Sequence, residues 1–207
     1  MYNKNKMLYS QPLIICHRIN TVKKLNNIPS KYGVEIDVRS FNNKIILNHD
    51  PLKNGEILNS WLKKFKHNFL IVNIKEEGLE KYIKKNLNNN NIKKFFFLDQ
   101  SFPFLIKTLN SNEKRCALRF SEFEDIKTIY NVKKKFNWLW VDYFSKFPLN
   151  KRISLGLKKK NIKICIVSPE LVKNVSNKKI LNFKKSIEKK KIYIDAVCTR
   201  KPKIWES

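Results

Sequence analysis

The sequence predicts an α/β protein, a compact single-domain (β/α)8 TIM barrel spanning residues 1–207. Three observations predict it. Eight short apolar, β-branched or aromatic runs recur along the chain, at residues 13–16, 34–38, 69–74, 95–98, 116–120, 138–141, 162–167 and 192–198. Their starts lie 21 to 35 residues apart, which leaves room for a helix or long loop between them. Nearly every run ends in a polar or ionisable cluster. Eight βα units in about 200 residues is the count for a compact barrel, whose chemistry sits at the strand C-termini.

Taken in order, the first run ends in His17-Arg18 and the second carries Glu35-x-Asp37 with Arg39 beyond it. The third ends in Asn73-x-Lys75, the fourth in Asp99-Gln100, the fifth in Arg119-x-Ser121 and the sixth in Asp142. The seventh ends in Ser168-Pro169-Glu170 and the eighth in Thr199-Arg200. Between them, lysine-rich stretches with helical spacing at 57–65, 79–87, 104–109 and 123–136 predict helices. The asparagine run 88–91 and the lysine clusters read as solvated loops and helix faces. Trp138 and Trp140 alternate on one strand and read as core, and His67 as an exposed structural residue.

Composition narrows the function classes. Hydrophobic residues make up 42% of the chain, as in a soluble globular protein. No apolar run approaches the ~20 residues that span a bilayer. Residues 1–11 are polar and basic, and the Leu13–Cys16 run is too short for a signal h-region, so the expected location is cytoplasmic. Four cysteines lie in or beside strand-like runs without a C-x-x-C pair, which excludes the usual zinc and redox patterns. With four glycines, no P-loop or dinucleotide fingerprint can be written. The net charge of +27 comes almost wholly from lysine spread along the chain. Nucleic-acid sites concentrate arginine and interleaved aromatics in one place, so the charge argues for steering an anionic, phosphate-bearing substrate rather than for binding nucleic acid. Nothing in the sequence signals an oligomeric state.

The chemistry concentrates near the N-terminus. The chain has three histidines, and two of them fall in His17-Arg18 and His49-Asp50, with Glu35-x-Asp37 between. Carboxylates at i and i+2 on a strand point to one side and can share a cation. Two histidines can move a proton into and out of a reaction. That combination suits cleavage of a phosphate ester.

These residues resemble the glycerophosphodiester phosphodiesterase family of the PLC-like phosphodiesterase superfamily, as a divergent member. The family's opening His-Arg-Gly is matched by His17-Arg18-Ile19, its Glu-x-Asp by Glu35-Ile36-Asp37, and its following His-Asp by His49-Asp50. An acidic residue, spacer and lysine on its third strand correspond to Asn73-Ile74-Lys75, and its last-strand Thr-Asp-x-Pro turn to Thr199-Arg200-Lys201-Pro202. The resemblance implies His17 and His49 as general acid and base, and Arg18 and Lys75 as phosphate-binding groups. It implies one divalent cation, Mg2+ or Ca2+, on Glu35, Asp37 and Asn73, and a small soluble phosphodiester as substrate. Two departures stand out. Asn73 lacks the family's negative charge, with Glu122 and Glu124 as candidate substitutes, and Ile19 replaces the glycine, which predicts a narrower entrance or a re-aimed first loop. The alternatives are a phosphate-ligand-binding barrel decayed at the metal site, and a phospholipase C- or D-like activity.

Overall fold

A computed structural model describes residues 11–206, so the 1–11 segment, Gln11 apart, lies outside the described residues, as does Ser207. The elements run β1 (Leu13–Cys16), α1 (Val22–Asn26), β2 (Gly33–Phe41), β3 (Lys44–Leu47), β4 (Glu56–Ile57), α2 (Leu58–Leu62), β5 (Leu70–Ile74), α3 (Glu80–Asn89), β6 (Phe95–Leu98) and α4 (Phe102–Asn110). They continue with β7 (Ala117–Phe120), α5 (Ile126–Asn131), β8 (Trp138–Val141), α6 (Lys151–Lys159), β9 (Lys163–Val167), α7 (Pro169–Val172), α8 (Asn177–Lys189), β10 (Ala196–Thr199) and α9 (Pro202–Glu206). All eight predicted runs contribute a strand. The 192–198 run contributes only its second half, and the 123–136 stretch only a short helix.

The chain divides into two compact units. The first holds residues 15–117 and 134–136, and the second holds the described residues 11–14, 118–133 and 137–206. In the first unit, β1, β2, β5 and β6 pair in parallel, with Cys16 opposite Val34, Asp37 opposite Asn73 and Ile71 opposite Phe96. β5 and β6 are buried along their whole length, as expected for parallel strands covered on both faces. In the second unit the order is β10-β9-β8-β7, and Trp138 and Trp140 are buried at 5% and 6% exposure, as core packing requires.

The first unit also carries an antiparallel hairpin, which the alternation of strands and helices does not predict. β2 runs nine residues, overshoots its parallel partners and turns back as an antiparallel hairpin, with Val38 opposite Leu47 and Phe41 opposite Lys44. Asn42 and Asn43 both take positive φ, 47° and 58°, the two-residue turn whose twist matches a hairpin. The hairpin brings the chain back so that Asn48 donates its N–H to the Asp37 carbonyl at 3.1 Å.

Asparagine also ends helices. In α3 the C-cap Asn90 is followed by Asn91 at φ 56°. Ile92 N–H then reaches the Leu87 carbonyl at 2.9 Å and Asn91 N–H the Asn88 carbonyl at 3.0 Å. This is a Schellman stop, and it recurs after α6 through Asn161 and Ile162. The 88–91 run is therefore the end of a helix and its stop signal, not a solvated loop. A chain poor in glycine uses asparagine for left-handed positions, since its short polar side chain tolerates them.

Candidate active site

Every residue of the N-terminal constellation lies in the first unit. Glu35, Asp37 and Arg39 alternate along β2 and so share a face. Glu35 and Asp37 are 1% and 0% exposed. Two buried carboxylates need donors, and each has a set of its own. Glu35 Oε2 accepts the Arg18 backbone N–H at 2.7 Å, and Oε1 accepts Asn73 Nδ2 at 2.9 Å. Asp37 Oδ2 accepts Asn20 Nδ2 at 2.8 Å, while Asn20 Oδ1 takes the Asp37 N–H at 2.9 Å. Asn20 was not singled out beforehand as a site residue. The signal that could have found it is Asn20-Thr21, which matches the last two residues of the Glu-Asn-Thr turn in the family this stretch resembles.

The cations surround the same pair. Lys75 Nζ lies 3.6 Å from Asp37 Oδ1 and 3.4 Å from Asp99 Oδ2, and Arg18 Nε lies 3.9 Å from Asp37 Oδ2. His17 Nε2 is 4.0 Å from Glu35 Oε2. Burial, reinforced by the charge of Asp37, pushes the Glu35 carboxyl up to about 7 against the opposing pull of Asn73, the Arg18 N–H and Lys75. The turn that aims these groups is held by Arg18 at φ 55° and by Ile19 N–H on the Glu35 carbonyl at 2.8 Å. Ile19 is itself 7% exposed, so its bulk is taken into packing.

His49 joins the others through backbone. It follows the hairpin, and its Nδ1 faces Asp50 Oδ1 at 3.0 Å. Hydrogen bonds from Lys53 and His49 hold the Asp50 carboxyl down at about 2, so it only accepts. Nδ1 must then carry the imidazole proton, which leaves Nε2 as the basic nitrogen. The loop beyond is pinned, because Asn48 Nδ2 donates to the Asn54 carbonyl at 2.8 Å. A Cβ on Gly55 would collide with the Leu47 carbonyl, so the close approach requires glycine.

Two buried side-chain oxygens of this cluster accept no hydrogen bond: Asp37 Oδ1 and Asn73 Oδ1. Because Asn73 turns its amide nitrogen to Glu35, its oxygen is left over. Carboxylate, carboxylate and amide oxygen form a donor set that suits a hard cation. Among the described residues, no group of three or more His, Cys, Asp or Glu side chains is placed to hold a metal. Glu122 and Glu124 are engaged within the second unit. Glu122 accepts the Phe144 and Lys146 N–H groups at 2.9 and 3.1 Å, and Glu124 accepts Ser121 Oγ at 2.7 Å and pairs with Arg119. His67 is half-buried rather than exposed, with Nε2 2.9 Å from the Ile28 carbonyl, a structural contact.

The architecture has known counterparts. The structure is similar to a glycerophosphodiester phosphodiesterase from Agrobacterium tumefaciens, with TM-score 0.70, 11% identity, and coverage of 95% of this chain and 100% of that one. It is also similar to a glycerophosphoryl diester phosphodiesterase from Parabacteroides distasonis, with TM-score 0.56, 11% identity, and 96% and 87% of the two chains covered. The chain has the (β/α)8 barrel fold. The tryptophan synthase α subunit from Campylobacter jejuni, with TM-score 0.55, 12% identity, and 98% and 92% coverage, shares it, so the likeness speaks for fold alone. No protein-family model matches the chain, and no characterised protein matches it in sequence. Among the described residues, no helix is long and apolar enough to cross a membrane.

Proposed function

We infer that the protein hydrolyses a phosphodiester bond in a small, soluble, glycerophosphodiester-like substrate in the cytoplasm. The observation that carries this reading is the cluster itself. Buried Glu35 and Asp37 stand beside two open acceptors, Asp37 Oδ1 and Asn73 Oδ1, with Arg18 and Lys75 close by. His17 lies just beyond the end of β1 and His49 just beyond the end of β3. The likeness of fold to two phosphodiesterases supports it.

Arg18 and Lys75 bind the anionic phosphoryl oxygens and neutralise charge that grows as the bond breaks. His49, oriented by Asp50, takes a proton from the attacking water or substrate hydroxyl at Nε2. The oxygen freed of that proton bonds to phosphorus, the P–O ester bond breaks, and the leaving alcohol oxygen receives a proton from His17. Each such transfer is worth about 10²–10⁴-fold in rate. Glu35, Asp37 and Asn73 would hold one divalent cation, Mg2+ or Ca2+, which when bound stabilises charge on the phosphoryl oxygens.

The test is turnover of glycerophosphocholine and bis-p-nitrophenyl phosphate with EDTA, Mg2+, Ca2+ or Mn2+, beside His17→Ala and Glu35→Ala. Metal-dependent turnover lost in both variants supports the reading. Activity no higher than that of the variants under every metal favours a barrel that binds a phosphorylated ligand without cleaving it.

A further inference from the structure

We propose that Arg39 is a positioning residue that fixes His49 and Lys75 relative to one another. The proposal rests on the functional reading above. Arg39 is third in the Glu35-x-Asp37-x-Arg39 alternation and so lies on the face of β2 that carries the carboxylates. It stands two residues above Asp37, where β2 has left β5 and begun the hairpin. Its guanidinium is half-buried and reaches in two directions. Nε donates to the His49 carbonyl at 3.1 Å, and one Nη donates to the Lys75 carbonyl at 3.1 Å.

These carbonyls belong to two loops that share no strand. One follows β3 and carries His49, and the other follows β5 and carries Lys75. Each loop also has one backbone tie to β2: Asn48 N–H to the Asp37 carbonyl at 3.1 Å, and Lys75 N–H to the Val38 carbonyl at 3.0 Å. Those ties fix where each loop leaves the strand, and Arg39 sets the spacing between them. Next to it, Ser40 N–H and Oγ hold the Glu76 carboxylate at 2.8 and 2.6 Å, so the overshoot of β2 serves as a spacer for both loops. Only a planar fork with several fixed donors reaches two carbonyls at once. A lysine ammonium on a flexible stem replaces one bond and loses the geometry. Because His49 bears the proton and Lys75 the phosphate charge, an error in their spacing of about 1 Å costs on the order of 100-fold in rate.

The experiment compares wild type, Arg39→Ala and Arg39→Lys by two independent readouts. The first is hydrolysis of bis-p-nitrophenyl phosphate. The expected result is a kcat lowered about 30- to 100-fold with KM nearly unchanged, no rescue by lysine, and partial rescue of Arg39→Ala by millimolar guanidinium that His49→Ala does not show. The second is amide hydrogen exchange over residues 48–54 and 75–78, expected to quicken in both variants while β2 and β5 stay protected. Wild-type activity in Arg39→Lys, or unchanged exchange in both loops, overturns the proposal. If wild type itself turns nothing over, the functional reading fails, and exchange alone decides whether Arg39 fixes the loops.

Discussion

The strand ends of the two units solve the same problem in opposite ways. In the second unit two strand-end acids are engaged by donors of that unit. Glu170 accepts Ser168 Oγ at 2.5 Å, Thr199 Oγ1 at 2.6 Å and the Arg200 N–H at 2.9 Å. Asp142 accepts Arg119 and the Trp140 indole, at 2.5 and 3.3 Å. In the first unit Asp37 Oδ1 and Asn73 Oδ1 remain open although buried. None of the second unit's described side chains leaves such an acceptor. An unsatisfied buried polar group costs about 1–3 kcal/mol. Gln100 Oε1 of the same unit is also buried without a partner, so openness alone does not mark a site; what sets Asp37 and Asn73 apart is that they are paired across β2 and β5, where one ligand would satisfy both. From strand ends of similar composition, the two cases are separated only by the donors that arrive from elsewhere.

That contrast breaks most visibly at the histidines. His17→Ala and His49→Ala should each lower kcat about 10²–10⁴-fold while thermal midpoints stay near wild type. Steady-state kinetics paired with melting curves reads both quantities. A midpoint collapse in His49→Ala would move that residue to the structural side. The second unit should answer the other way. Glu170→Gln leaves Ser168, Thr199 or the Arg200 N–H with a poorer partner, and should cost about 1–3 kcal/mol of stability with kcat unchanged. Urea denaturation gives the first number, and turnover at saturating substrate gives the second.

Asn73→Asp sharpens the comparison at the uncharged member of the set. The change replaces the amide that donates to Glu35 with a second acceptor 2.9 Å away. Without a cation, two buried carboxylates then face each other and the variant should melt below wild type. With Ca2+ or Mg2+ the repulsion is relieved, and affinity should rise about tenfold, the worth of ~1.4 kcal/mol. Titration calorimetry and the cation-dependent melting shift both report it. Equal affinities in the two proteins would remove position 73 from the ligand set.

Much of the fold was legible because parallel strands buried on both faces are short apolar runs, and runs such as 95–98 need no context to be recognised. The β2–β3 hairpin was missed although its Asn42-Asn43 turn is a hairpin signal. Lys44 and the preceding Arg39-Ser40 broke the apolar pattern, since those positions extend beyond the core. The Asn88–Asn91 stop was hidden by composition, where a helix end and a polar loop look alike. In the candidate site, residue types and strand ends could be read locally, but partners could not. That Asn20 holds Asp37 from 17 positions away depends on a loop meeting a strand in space, and that Asn73 turns its nitrogen rather than its oxygen to Glu35 depends on the pairing of β2 with β5.

The smallest expected effect concerns a saturated acid inside the first unit, which tests whether the contrast follows hydrogen bonding rather than membership of a unit. Glu113 is buried, accepts both the Arg115 Nε and Nη groups at 2.7 Å and pairs with Lys84 at 2.9 Å. Burial alone would raise its carboxyl, but the hydrogen bonds from Arg115 and Lys84 outweigh it and hold the group down at about 2. A folded-state value below the unfolded one means that folding favours the ionised form. Its stabilisation is therefore full above about 4.5 and is lost as pH falls from there towards 2. Each kcal/mol lost lowers the midpoint of a chain this size by about 2–4 °C. Glu113→Gln cannot ionise, so its midpoint should fall less steeply than wild type between pH 5 and pH 2.5, ~2.5 being near the end of that window. Parallel slopes would mean that Arg115 and Lys84 stabilise the amide as well as the carboxylate, and that saturation here owes nothing to charge.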